Sequence, residues 1–154
     1  MQYTTEIVIK KPLLEVIKKM SAIDSLKYWH DGLVSAEHLS GIPNELGSKI
    51  KLTYSFGNRE VEVIELITKQ DFPHQFHLSY TGKGMRNIQK NYFETLGANS
   101  TKWVSKNELQ PTSFKMSLML FIMPSAFKKQ TKTSLNNFKN FIEKGISVNT
   151  FKAN

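Results

Sequence analysis

The chain has 154 residues, of which 40% are hydrophobic, and a formal net charge of +8. This size predicts a single domain over residues 1–154, with an ordered core to about residue 146 and a tail over 147–154. Cysteine is absent, which excludes disulfides, thiolate metal sites and cysteine nucleophiles. The start has no secretion pattern and the densest apolar run covers only 116–123, so we expect a cytoplasmic protein without a transmembrane segment.

The positive charge is concentrated near the end of the chain. Five of the eight net charges lie between Ser125 and Asn154. Such a segment suits an acidic partner, nucleic acid or an anionic membrane, and equally a solvated helix face. The aromatic residues do not interleave with these lysines as they do in single-strand binding, so we expect no nucleic-acid partner. Peripheral membrane contact stays open.

The first half of the chain reads as a strand, two short helices and a series of further strands. Residues 3–10 alternate as a strand does, Pro12 opens a helical segment, and Asp24 suits the N-cap of a second helix ending at Trp29. Extended runs with glycine, asparagine or proline turns between them then follow. These predicted strands cover 34–40, 49–56, 60–69, 75–81, 86–96 and 101–110.

The last part of the chain is divided by Pro124, which breaks a helix. Beyond it, apolar residues recur at steps of three and four from Phe127 to Ile142, which predicts a long amphipathic helix with Gly145 as its C-cap. The segment 114–123 is apolar nearly all round and rich in methionine, so it must cover something or be covered. It is either ordinary core or the lid of a cavity.

Charged positions predict which face of the sheet is buried, because charges are rarely buried without a partner. In the strand 49–56 this argument turns Tyr54 and Phe56 inward. In the last two strands it turns a group of uncharged polar side chains inward. These are Asn87, Gln89, Asn91, Ser105 and Asn107. Such groups must hydrogen-bond to one another, face a ligand or water in a cavity, or lie at an open end of the sheet.

The chain resembles the SRPBCC or START-like superfamily, in particular its polyketide cyclase/dehydrase-like group. The matching pieces are EIVIKKPLLEVIKKM, the WHDG turn, GIPNELGSKIKL, REVEVIELI followed by Pro73, and the closing FKKQTKTSLNNFKNFIEKG. The resemblance implies an α+β helix-grip fold, in which a seven-stranded curved antiparallel sheet wraps a long C-terminal helix, with two short helices after the first strand. It also implies a cavity for an apolar or amphipathic molecule. The glycine-and-threonine hairpin of many members is here Gly82–Asn87, without the threonine.

Our first functional expectation is a protein that binds a hydrophobic or amphipathic small molecule of lipid, polyketide or aromatic type, in a cavity between the sheet and the C-terminal helix. We expect it to be a monomer or weak homodimer without a cofactor. The expected lining is aromatic, with methionines near Pro124 and a few polar groups to orient the ligand. These residues are Trp29, His38, Tyr54, Phe56, Tyr80, Asn91, Phe93, Trp103, Ser105, Asn107, Met116, Met119, Met123 and Phe127.

Two alternatives remain at this stage. One is a polyketide cyclase or dehydratase in which a cavity histidine or tyrosine acts as acid or base, with His38 and Tyr80 as candidates. The other is an interaction protein, such as a co-chaperone or membrane-associated protein, that uses the basic C-terminal helix. His74 and His77 fall on opposite faces of a strand, so we expect no metal site. Adjacent His30 and Asp31 are read as either an acid/base pair or a solvated helix end.

Overall fold

The computed structural model describes residues 1–149. Over these residues the chain forms seven strands, four α-helices and one short 3₁₀ turn, in the order that the sequence predicts. The strands are β1 (Gln2–Ile9), β2 (Leu33–Ser40), β3 (Lys49–Phe56), β4 (Arg59–Asp71), β5 (Gln75–Gly82), β6 (Met85–Thr95) and β7 (Thr101–Pro111). The helices are α1 (Leu13–Ser21), α2 (Leu26–Trp29), α3 (Phe114–Ile122) and α4 (Ala126–Lys144), and the 3₁₀ turn is Ile23–Ser25.

All seven strands belong to one antiparallel sheet. Its order is β1-β7-β6-β5-β4-β3-β2, so strands 2 to 7 follow one another as a meander and the first strand joins beside the last. Tyr3 on β1 lies opposite Asn107 on β7. The predicted α+β helix-grip architecture is therefore confirmed.

The long helix α4 is held against the sheet and against α2. Phe138 is completely buried and packs edge-on against the rings of Trp29 and Trp103, with ring centroids 5.1 and 5.4 Å away. Polar contacts fasten α4 to β1: the Tyr3 hydroxyl lies 2.8 Å from the Thr131 hydroxyl. Aromatic pairs of this kind stabilise a core by about 1 kcal/mol beyond the area they bury. Phe138 thus connects α4 with both α2 and β7.

The connection between α1 and α2 differs from the prediction. Asp24 lies within the 3₁₀ turn Ile23–Ser25, and the N-cap position of α2 is Ser25, which makes no side-chain capping hydrogen bond. Helix α2 begins only at Leu26. Residues 147–149 run back over α2, where the Val148 amide donates to the Tyr28 carbonyl at 3.0 Å. The rest of the predicted tail, 150–154, lies outside the described residues.

Helix α3 is fastened to the β5–β6 hairpin at its first turn. The Ser113 hydroxyl caps the helix by accepting from the Met116 amide at 3.2 Å, and the Thr112 amide donates to the Gly84 carbonyl. Gly84 has φ +81°, and a Cβ there would lie 2.8 Å from the Ser113 hydroxyl. A larger residue at position 84 would therefore push the start of α3 away. The predicted break at Pro124 separates α3 from α4.

Candidate functional site

The uncharged polar side chains of β6 and β7 form one hydrogen-bonded group, which we call the amide cluster: Asn87, Gln89, Asn91, Ser105 and Asn107. Asn107 Oδ1 accepts from Asn87 Nδ2 at 3.0 Å and from Gln89 Nε2 at 3.3 Å, and Asn107 Nδ2 donates to the Ser105 hydroxyl. Asn91 Nδ2 donates to Gln89 Oε1. Its Oδ1 accepts from Trp103 Nε1 at 2.9 Å.

Of the possibilities that the sequence left open for these residues, the structure shows mutual hydrogen bonding. Asn91 and Ser105 are completely buried and Asn107 nearly so. Most of their donors and acceptors are used by one another, and Asn87 Oδ1 is the member of the cluster left buried without a partner. Mutually satisfied buried polar groups stabilise a specific packing arrangement, and they have little left to offer a ligand.

A cavity lies beside the other half of the sheet, between strands β3 to β5 and the helices α1 and α2. It leaves about 20 Å³ for the centres of water-sized molecules, which is room for one or two waters. Most of the lining is apolar, from Met20, Ile23, Leu26, Trp29, Ile50, Ile67, Phe76 and Leu78. The polar lining consists of Ser21, His30, Asn44, Ser48, Glu65 and Tyr80.

A buried carboxyl group lies in the wall of this cavity. Glu65 is 7% exposed and sits on β4 directly opposite Tyr80 of β5, whose hydroxyl donates to the carboxylate. Side chains at such paired positions share one face of the sheet. Burial raises the pKa of Glu65 to about 7, and the hydrogen bond from Tyr80 opposes that rise in part. This carboxyl group therefore changes charge near neutral pH.

A histidine–tyrosine pair lies beside the carboxyl group. His30 Nδ1 is 2.8 Å from the Tyr54 hydroxyl, and their rings stack. Burial lowers the pKa of His30 to about 4, so the imidazole is neutral at neutral pH. Burial, and then the charge of Glu65, raise the pKa of Tyr54, while burial and Glu65 also raise that of Tyr80. We call His30, Tyr54, Glu65 and Tyr80 the carboxyl cluster.

Two polar atoms beside this cavity lack a hydrogen-bond partner. They are Trp29 Nε1 and His30 Nε2, both buried. A buried polar atom without a partner costs about 1–3 kcal/mol, so such atoms commonly meet a water or a ligand. If the Tyr54 hydroxyl donates to His30 Nδ1, Nε2 carries the proton, and both unpaired atoms are donors. A ligand oxygen would satisfy either of them.

The structure distributes the fourteen predicted lining residues over several places. Trp29 and Tyr80 line the cavity, and Tyr54 contacts it through His30. Phe93 and Trp103 stack on each other in the core, and Asn91, Ser105 and Asn107 belong to the amide cluster. Phe127 is partly buried at the start of α4, and Met116 is partly buried on α3.

The remaining predicted lining residues face solvent. His38 is exposed on β2, which is an edge strand of the sheet. Phe56 stacks on Tyr54 as the inward assignment requires, yet it is 50% exposed because it ends β3, at the rim of the sheet. Met119 on α3 and Met123 directly after it are exposed. The cavity lies against α1 and α2, whereas the sequence placed it against the C-terminal helix.

Two residues of the carboxyl cluster were missed from the sequence. Glu65 stands in phase with Val63 and Ile67 on β4, so the period of two itself indicates that its side chain points inward. In the sequence His30 stands next to Asp31, which is exposed in the structure, whereas its hydrogen-bond partner Tyr54 is 24 residues away. Over residues 1–149, no three His, Asp or Glu side chains are grouped to hold a metal ion.

Solved structures share this fold over nearly the whole chain. A conserved protein of Geobacillus kaustophilus superposes with a TM-score of 0.79 at 16% identity, covering 94% of this chain and 97% of that one. Zhui aromatase/cyclase of Streptomyces sp. R1128 gives 0.76 at 10% identity, covering 93% of both chains. Norcoclaurine synthase of Thalictrum flavum, in complex with a transition-state analogue, gives 0.70 at 11%, covering 92% and 93%.

These similarities confirm, at the level of the fold, the resemblance to START-like and polyketide cyclase-like proteins. No family model matches the sequence, and no curated protein sequence matches it. Among the helices of residues 1–149, none combines the length and apolar character needed to cross a membrane.

Proposed function

We propose that the protein binds a hydrophobic or amphipathic small molecule, of lipid, polyketide or aromatic type, in the cavity between the sheet and α1–α2. The observation that carries the proposal is the carboxyl cluster in a mostly apolar cavity, beside the unpaired Trp29 Nε1 and His30 Nε2. Apolar walls with a few convergent polar groups are typical of ligand sites. The fold shared with an aromatase/cyclase and with norcoclaurine synthase supports this choice.

The size of the cavity sets a condition on binding. Space for one or two waters does not hold a lipid, so α1 and α2 must move away from the sheet when a ligand enters. Met20 lies at this boundary, and its flexible side chain suits a surface that repacks around different apolar shapes. The apolar part of the ligand then replaces contacts between helix and sheet, and its polar group meets the carboxyl cluster.

The test is thermal unfolding of the purified protein with fatty acids, aromatic polyketides and flavonoids, with native mass spectrometry for any retained molecule. A ligand at 100 times its Kd should stabilise the fold by about 2.7 kcal/mol and raise Tm by roughly 5–10 °C. Leu78→Trp fills the cavity and should abolish the shift, whereas Val34→Trp on the exposed edge strand should retain it. No shift with any compound, together with no retained molecule, contradicts the proposal.

A second candidate, acid–base catalysis on the bound molecule, is favoured by one specific observation. The Glu65 pKa of about 7 and its hydrogen bond to Tyr80 suit a group that takes up and releases a proton near neutral pH. Glu65→Gln should then abolish turnover of an identified ligand while retaining its binding. Unchanged turnover in Glu65→Gln would remove this carboxyl group as the catalytic base.

A further inference from the structure

Helix α3 presents most of its apolar side chains to solvent. Phe114 and Phe121 are 84% and 85% exposed, and Ile122 is 65% exposed. Leu118, Met119 and Met123 are exposed as well, whereas Leu120 is the buried residue of the helix. An exposed apolar patch of this kind commonly marks a surface that contacts a protein or a membrane.

In the same part of the chain all charged residues are basic. Between residues 109 and 142 the sequence contains no aspartate or glutamate. It contains Lys115 on α3 and Lys128, Lys129 and Lys132 on the first two turns of α4, all exposed. The α3 docking surface, by which we mean residues 114–123 with these four lysines, therefore combines exposed apolar groups with uncompensated positive charge.

The exposed apolar groups and the lysines together distinguish between a second copy of the chain, a nucleic acid and a membrane as the partner of this surface. A second copy of the chain would bring one lysine group against another, and like charges across an interface are unfavourable. A nucleic acid would pair with the lysines and leave the apolar side chains in water. An anionic bilayer accepts both, because its acyl chains take up apolar side chains and its headgroups pair with lysines.

The dimensions of α3 fit a position along the bilayer surface. Its nine residues span about 14 Å at 1.5 Å per residue, against a hydrocarbon core of about 30 Å. A short helix with exposed phenylalanines, flanked by lysines, lies in the boundary between headgroups and acyl chains. Its exposed side chains protrude from the surface, which suits insertion into lipid better than the recognition of a partner helix in a groove.

We propose that α3 inserts into the surface of an anionic lipid bilayer and that Lys115, Lys128, Lys129 and Lys132 bind the acidic headgroups. The proposal rests on α3 and the start of α4 and is independent of the carboxyl cluster. It holds whether or not the cavity takes a ligand. Because the attraction is partly electrostatic, it weakens as salt is added.

The first experiment is cosedimentation of the full chain with vesicles of phosphatidylcholine alone and of phosphatidylcholine with 30% phosphatidylserine. We expect binding to the phosphatidylserine vesicles, at least roughly tenfold weaker binding to the neutral ones, and a decrease with salt. Phe121→Ser with Ile122→Ser should reduce binding by roughly tenfold or more. The matched control is Leu14→Ser with Leu46→Ser, which removes two apolar groups elsewhere that are 70% and 63% exposed, and it should leave binding unchanged.

The lysines are tested with two triple charge reversals, which lower the net charge of the protein by the same amount. Lys128→Glu, Lys129→Glu and Lys132→Glu together should abolish binding, whereas Lys18→Glu, Lys49→Glu and Lys69→Glu, also exposed, should retain most of it. Equal loss in the two variants would show attraction by overall charge and would overturn the proposal. Equal binding to neutral and anionic vesicles, or no binding to either, would overturn it too.

A fluorescent probe locates the insertion. Trp29 and Trp103 are both buried, so a blue shift in Phe121→Trp on adding phosphatidylserine vesicles reports the new indole alone. We expect this shift, and none in Leu14→Trp. If light scattering shows a dimer that Phe121→Ser dissociates, and vesicles cause no blue shift, the surface belongs to a second copy and the membrane proposal is wrong.

Discussion

The two halves of the inner sheet face use buried polar groups in opposite ways. On β6 and β7 the amide cluster is uncharged and almost fully satisfied within itself. Beside β3 to β5 the carboxyl cluster contains a titratable acid and a histidine, and the unpaired polar atoms there are Trp29 Nε1 and His30 Nε2. The number of buried polar groups therefore does not identify a site. Buried polar atoms without a hydrogen-bond partner, together with perturbed pKa values next to a cavity, indicate a candidate site.

The largest expected effect concerns the pH dependence of stability on the carboxyl side. The folded-state pKa of Glu65, about 7, lies above its ordinary value of 4.5, so its contribution is complete below pH 4.5 and is lost as pH rises through 7. We therefore compare the free energy of unfolding of Glu65→Gln with that of the wild type. Between pH 4 and pH 8 this difference should shift in favour of Glu65→Gln by about 3 kcal/mol. Urea unfolding at both pH values measures this, with the exposed Glu60→Gln as the matched control.

His30 acts in the opposite direction over nearly the same range. Its folded-state pKa of about 4 lies below the ordinary 6.5, so its contribution is present above pH 6.5 and is lost as pH falls through 4. In the wild type the effects of pH on stability through Glu65 and through His30 largely cancel. In Glu65→Gln only the effect through His30 is left, so its free energy of unfolding should rise with pH. His30→Asn should reveal the reverse slope. Parallel curves for wild type and both variants would mean that neither group is buried as described.

A smaller effect is expected on the amide side. Asn91→Leu leaves Trp103 Nε1 without an acceptor in a completely buried position, and it should destabilise the fold by about 2 kcal/mol without a pH dependence. The control is Asn136→Leu on the exposed face of α4. A loss that varies with pH, or no loss, would break the distinction between the two clusters.

The smallest effect is expected on the outer face of the sheet. Lys102 forms ion pairs with Glu6 and Glu94 at 3.6 and 3.9 Å, and all three side chains are substantially exposed. Lys102→Met should change the free energy of unfolding by less than about 1 kcal/mol, because water and salt screen such pairs. A larger loss in urea unfolding would show that β6 and β7 depend on their outer charges as well as on the amide cluster.

Much of the fold was predictable because each strand and helix has its own periodicity and turn residues. The inward orientation of Asn91, Ser105 and Asn107 was predicted from alternation with charged positions, and all three are buried. The site was less predictable. The rule that charged side chains point outward hides Glu65, and no local pattern announces that His30 and Tyr54 meet across 24 residues.

The sequence by itself determined the order of elements, the antiparallel sheet, the break at Pro124 and the inward polar side chains of β6 and β7, because these follow from local spacing and turn chemistry. Only the tertiary structure decided which polar groups satisfy one another, that the cavity lies under α1 and α2, and that α3 stays uncovered. The physical reason is that burial and hydrogen-bond satisfaction depend on residues brought together from distant parts of the chain. The charge states of buried groups such as Glu65 and His30 depend on the same surroundings.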